Sequence, residues 1–263
     1  MQIINDNTLK GLGMDNPVSH LSLSAFPLYA KNFSKAGYVL LESALENRTA
    51  EVEETSNEGH VPELLVDNRN DCPLFIMDGE TLTGEKLKQN RIASISTLLP
   101  GMKKSILSVL CSERGRWSRT NREFASRESS LYASARSAKM NKMQENMQAT
   151  GTDGMHASAD QEQVWSQINT KLSSFDVNSE SESMQDLYQQ NEKRMQSYLD
   201  SMSMPDNAQG VVFAIAGSIK GFELFSCPQT FHALYPKLLK SYVMDAMEQE
   251  DIKFTKPQIR DAK

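Results

Sequence analysis

The chain has 263 residues, 39 % of them hydrophobic and 24 % charged, with a net charge of −6. That length and balance predict a globular protein with a sizeable core, and the acidic balance argues against broad nucleic-acid binding through phosphate contacts. No apolar run approaches the roughly 18 residues that a membrane-spanning helix needs.

The three cysteines, Cys72, Cys111 and Cys227, are too few for a disulfide framework and point to a reducing compartment, the cytoplasm. The opening MQIINDNTLKGLG has no basic segment followed by an apolar one, which predicts no secretory signal. The fourteen methionines concentrate in the second half and suit helical packing, with a helix-binding surface and a homo-oligomer as the alternative.

Residues 1–17 read as a loose lead-in, and Ser19 to Tyr29 as a strand ahead of Pro27. Tyr38 to Leu45 fits a short helix or a strand. Thr49 to Glu54, Leu64 to Val66, Leu74 to Met77, Arg91 to Leu99 and Ser105 to Cys111 read as strands with short connections. Such spacing favours a mixed or largely antiparallel sheet. Residues 119–148 predict one long helix or two. Ser158 with Gln161 gives a helix-start spacing, and Val164, Trp165, Ile168, Leu172 and Phe175 mark a helical face. A further helix follows over Met184 to Leu199. Strand character returns at Gly210 to Gly217 and Ile219 to Phe225. The amphipathic helix over Phe231 to Ala246 is predicted to start at Ser226 and Gln229. The expected fold is α+β, a single domain over 1–263 whose sheet core carries a helical insert at 118–205 and a C-terminal amphipathic helix.

Polar chemistry is densest between Phe75 and Trp117. On an extended chain Asp78 and Glu80 share a face, which suits paired acid and base roles or a divalent ion, and the DGE triplet suits a plain turn equally. Lys86, Gln89, Asn90 and Arg91 follow, with Arg91 offering a planar fork for phosphate or carboxylate. In CSERGRW, Glu113 is a candidate acid or base, Arg114 and Arg116 are candidate anion clamps, and Trp117 is a candidate stacking platform. Cys111 closes an apolar strand and reads as core. The four histidines are scattered, so no zinc site is expected. No GxxxxGK loop followed by Ser or Thr appears.

At Asp78-Gly79-Glu80, Gly84, Gln89-Asn90-Arg91 and Cys111-x-Glu113-x-Gly115-Arg116-Trp117 the sequence resembles the ADP-ribosylglycohydrolase- and rhodanese-phosphatase-associated protein domain family. VPELLVDN and the closing GFELF to SYVMDA segment extend the resemblance over most of the chain. It implies Glu80, Arg91, Glu113, Arg116 and Trp117 as pocket members, without implying an activity or a cofactor. The run Glu85-Lys86-Leu87-Lys88 departs from the family pattern as a local insertion. The expected ligand is a nucleotide or an ADP-ribose-like molecule. Glu80 and Glu113 would be the catalytic groups of an enzyme, the alternatives being a non-enzymatic sensor or a helix-mediated interaction protein.

Overall fold

The computed structural model describes residues 11–30, 35–55, 62–82, 89–115, 129–150 and 161–250. The chain divides into two compact units, one formed by residues 1–36 with 193–263 and the other by residues 37–192.

The first unit begins with β1 (Leu12–Met14), β2 (Val18–His20) and β3 (Leu23–Ala30). The expected loose lead-in thus contains a strand, because β1 pairs antiparallel with the end of β3 while β2 pairs with its start. Pro27 lies inside β3. Its carbonyl accepts from the Asp15 amide at 3.2 Å, just past the end of β1, so its missing donor faces the gap between β1 and β2.

The second unit opens with β4 (Val39–Leu40), which runs straight into α1 (Leu41–Glu46), so the strand and helix readings of this stretch each hold for part of it. Then follow β5 (Ala50–Glu54), β6 (Glu63–Asn68), β7 (Leu74–Ile76), β8 (Thr81–Leu82), β9 (Arg91–Ala93), β10 (Thr97–Leu99) and β11 (Lys103–Cys111). One sheet has the order β5-β6-β11-β9-β8 and is antiparallel throughout. A smaller one has the order β10-β7-β4, in which β4 and β7 are parallel.

Arg91 to Leu99 is therefore two strands in two sheets rather than one. The serines between them take specific bonds: the Ser94 amide donates to Ser108 O at 3.1 Å, and the Asp78 amide donates to Ser96 Oγ at 2.9 Å. The core of this unit comes from alternate residues of these strands, including Val52, Leu64, Val66, Leu107 and Val109, all at most 2 % exposed.

Helices α2 (Ala133–Thr150), α3 (Gln161–Ser174) and α4 (Met184–Gln190) complete this unit. The predicted start at Ser158 lies outside the described residues. The expected continuous helix over Met184 to Leu199 is broken at Asn191, whose side-chain amide donates to Leu187 O at 2.9 Å and closes α4. The next helix is α5 (Glu192–Ser201).

Back in the first unit, β12 (Gly210–Ile215) is buried along its whole length between β3 and β13 (Ser218–Leu224). Ala216 and Gly217, with φ of 47° and 82°, form the two-residue turn that joins them, a conformation matched to the twist of a hairpin. The last helix, α6 (Pro228–Ala246), is capped by Cys227 and not by Ser226. Pro228 takes the first turn, where its fixed φ is pre-set and no amide partner is needed. Phe213 of β12 stacks on Tyr242 of α6 with centroids 4.0 Å apart. The fold is α+β, and no described helix is long and apolar enough to cross a membrane.

Candidate functional site

The site residues expected from the sequence fall in the second unit, where the structure separates them into distinct clusters. Met77 to Glu80 form a tight turn: the Glu80 amide donates to Met77 O at 3.1 Å, and Gly79 has φ of 74°. A β-carbon at Gly79 would come within 2.9 Å of Arg136 Cδ and 3.0 Å of Leu131 Cβ, so both backbone and space select glycine. The turn breaks the extended geometry in which Asp78 and Glu80 would share a face. Glu80 is 1 % exposed and its Oε2 accepts from the Met77 amide at 3.0 Å. Asp78 instead pairs with Lys139 of α2, which also donates to Ser94 O. Burial pushes the Lys139 amine below its usual pKa, against the opposing pull of Asp78.

A second cluster caps the end of the apolar core. Arg91, Gln89 and Cys111 are 0–1 % exposed. Arg91 Nη2 reaches Glu54 Oε1 at 3.4 Å and Nη1 donates to Gln89 Oε1 at 3.3 Å, while Cys111 Sγ donates to the same amide oxygen at 3.0 Å. Arg91 therefore meets neither Glu80 nor Glu113; its carboxylate is Glu54. Burial pushes the Cys111 thiol up to about 11, while Arg91 pulls the other way and Glu113 and Glu54 add to the rise. At neutral pH this sulfur is a protonated donor and not a nucleophile.

Glu113 belongs to a third cluster. It is 2 % exposed, and its carboxylate accepts from the Asn90 amide at 2.5 Å and from Asn90 Nδ2 at 3.4 Å. Asn90 Nδ2 and Ser112 Oγ also reach Gln185 Oε1 of α4, at 3.3 and 3.4 Å. Both proposed catalytic carboxylates thus already hold backbone amides.

The chain emerges from these clusters at Arg114, which is exposed. The amides of Arg114 and Gly115 both donate to Ser181 O at 3.0 Å, which anchors this exit to the loop before α4. The Arg114 guanidinium lies 5.4 Å from the centroid of the Trp165 ring on α3, within cation–π range. Together they border a groove of about 410 Å³ whose remaining walls include Glu162, Ser166, Asn169 and Thr170 of α3.

Gln161, the first residue of α3, positions this helix. Its carboxamide accepts from the Cys111 amide at 2.7 Å and donates to Cys111 O at 3.0 Å, so it pairs with the end of β11 as a neighbouring strand would. That places Trp165, one turn later, beside Arg114.

Lys86, Arg116 and Trp117 lie outside the described residues. Among the described residues no three His, Cys, Asp or Glu side chains converge to hold a metal ion. The sequence reading missed Glu54, Lys139, Gln161 and Trp165 as site-forming groups. Glu54 was accessible to it, because Ala50, Val52 and Glu54 alternate onto the inward face of β5. Trp165 falls on the helical face marked by Val164, Ile168 and Leu172, and nothing local distinguishes a ring at the edge of that face from one inside it.

Four outcomes follow from these contacts. Glu54→Ala strands a buried guanidinium and should cost about 3–5 kcal/mol in urea unfolding. The double change Glu54→Leu, Arg91→Met should cost less than the sum of its two single changes; additivity would mean that the pair is not coupled. A thiol reagent followed by peptide mass spectrometry should label the part-exposed Cys72 in the native protein and reach Cys111 only after unfolding. For Lys139, the unfolded chain binds more protons than the folded one between the lowered native pKa and 10.5. Its contribution to stability is therefore lowest below the native pKa and rises with pH across that interval. Lys139→Met should remove this rise from the stability–pH profile, and an unchanged profile would contradict the assignment.

A family model, ARPP-1, the ARG and Rhodanese-Phosphatase-superfamily-associated Protein domain, matches residues 11–263. No curated protein and no solved structure matches the chain. The match spans both units and every cluster described above, and the chain belongs to the ARPP-1 family.

Proposed function

We propose that the protein binds a small anionic ligand of nucleotide type in the groove beside Arg114 and Trp165, and that it binds this ligand without turning it over. The observation that carries this reading is the Arg114 guanidinium held over the Trp165 ring at the edge of a polar groove. A guanidinium supplies paired donors for phosphate oxygens, and an indole face accepts a planar base. The volume lies within the roughly 300–1,000 Å³ range of ligand pockets.

Binding is favoured over hydrolysis because Glu80 and Glu113, the candidate acid and base, are 1 % and 2 % exposed and engaged with backbone amides. Hydrolysis of a glycosidic bond needs two carboxylates flanking the bond with room for water. An association with ADP-ribosylglycohydrolases, which the family's name echoes in part, belongs to the same proposal, as does a cytoplasmic setting suggested by three free cysteines.

Thermal unfolding in the presence of AMP or ADP-ribose tests the reading. A ligand at about 100 times its Kd adds about 2.7 kcal/mol to stability, which raises Tm by several degrees. The rise should vanish in Trp165→Ala, and the nucleotide should be recovered intact after long incubation. If neither compound raises Tm, the groove is not a nucleotide site. Recovery of cleaved nucleotide would show turnover instead.

A further inference from the structure

The walls of the groove come from different elements, Arg114 from the segment after β11 and Asn169 from α3. One short loop, Ser179 to Ser183, holds both. Ser181 O accepts from the amides of Arg114 and Gly115 at 3.0 Å. The carboxylate of the next residue, Glu182, accepts from Asn169 Nδ2 at 3.1 Å. Glu182 is not itself a wall of the groove, so any effect it has on a ligand passes through Asn169.

The loop is tied down on both sides of Glu182. The Ser183 amide donates to Ser179 Oγ at 2.8 Å, and that hydroxyl donates to Asp186 Oδ2 at 2.6 Å. The Met184 amide donates to Ser112 O at 3.0 Å. Glu182 itself has φ of 50°, in the left-handed region that residues other than glycine rarely adopt. Glycine would sit there without strain, but it would lose the carboxylate that holds Asn169. A carboxamide has two N–H donors and one carbonyl acceptor. With one N–H held by Glu182, Asn169 keeps its second N–H and its Oδ1. A flipped amide would set Oδ1 against the carboxylate, so the bond also fixes which way the amide faces.

We infer that Glu182 is a positioning residue for the groove. It locks the Asn169 carboxamide in one orientation, which presents one donor and one acceptor to a ligand in fixed places. This step rests on the reading of the groove as a nucleotide site.

Calorimetric titration of the full chain with AMP, run as a double-mutant cycle, tests the inference. Asn169→Ala removes the amide and should weaken AMP binding about threefold to tenfold, the range for one neutral hydrogen bond. Glu182→Gly frees the amide to turn and should also weaken binding. The two changes together should lose no more than Asn169→Ala alone. Glu182→Gln removes the same charge as Glu182→Gly but keeps an acceptor, so it should bind AMP more tightly than the glycine variant. Circular dichroism of each variant confirms folding. Additive losses, equal binding by the Gly and Gln variants, or unweakened binding by Glu182→Gly would overturn the positioning role while leaving the nucleotide reading in place. Absence of AMP binding by the unsubstituted chain would overturn both.

Discussion

A guanidinium sealed at the end of an apolar core sets the terms for the second unit. Arg91 cannot shed its proton, so at 1 % exposure it must be met by acceptors from the protein. Those acceptors come from Glu54 at the end of β5 and from Gln89 just before β9. Cys111, directly opposite Arg91 in the β9–β11 register, donates to the same Gln89 oxygen. The cluster ties together chain segments far apart in sequence and fixes where the sheet stops being apolar. It is also a demanding arrangement, because removal of one partner strands a charge in a low-dielectric interior.

The polar residues around this cap divide between inside and outside. Glu113 turns inward to hold Asn90, while the next residue, Arg114, is exposed and borders the groove. Gln161 links the two sides, since its carboxamide pairs with Cys111 of the sealed cluster and begins the helix that carries Trp165. Residues 111–114 thus pass from core to surface within four positions. The same short segment stabilises the sheet and supplies the cation at the groove.

The α+β class, the longer strands and the apolar faces of the helices could be read from periodicity, because burial on one face leaves a repeating mark. The short strands β1 and β8 left none, and β2 with β3, like β9 with β10, read as single strands. The polar sites could not be read in the same way. The DGE triplet fits both a strand-borne carboxylate pair and a turn, and the choice depends on Gly79 packing against Arg136 and Leu131, more than fifty positions away. Arg91 advertised a cation, but its partner Glu54 lies 37 residues earlier and only the sheet order brings them together. Density of polar residues marked the region correctly as unusual. It did not reveal that the described ones among them are engaged inside the protein, Arg91 with Glu54 and Gln89, Glu113 with Asn90 and Asp78 with Lys139.

The central claim is that the inner cluster is structural and the groove beside it receives the ligand. NMR of the arginine Nε–H and tryptophan indole N–H groups during AMP titration separates the two most directly. With the ligand in the groove, the Arg114 and Trp165 signals shift with AMP while the Arg91 Nε–H stays in place and remains protected from solvent exchange. Movement of the Arg91 signal, with Arg114 and Trp165 unmoved, would place the ligand in the sealed cluster and contradict the account.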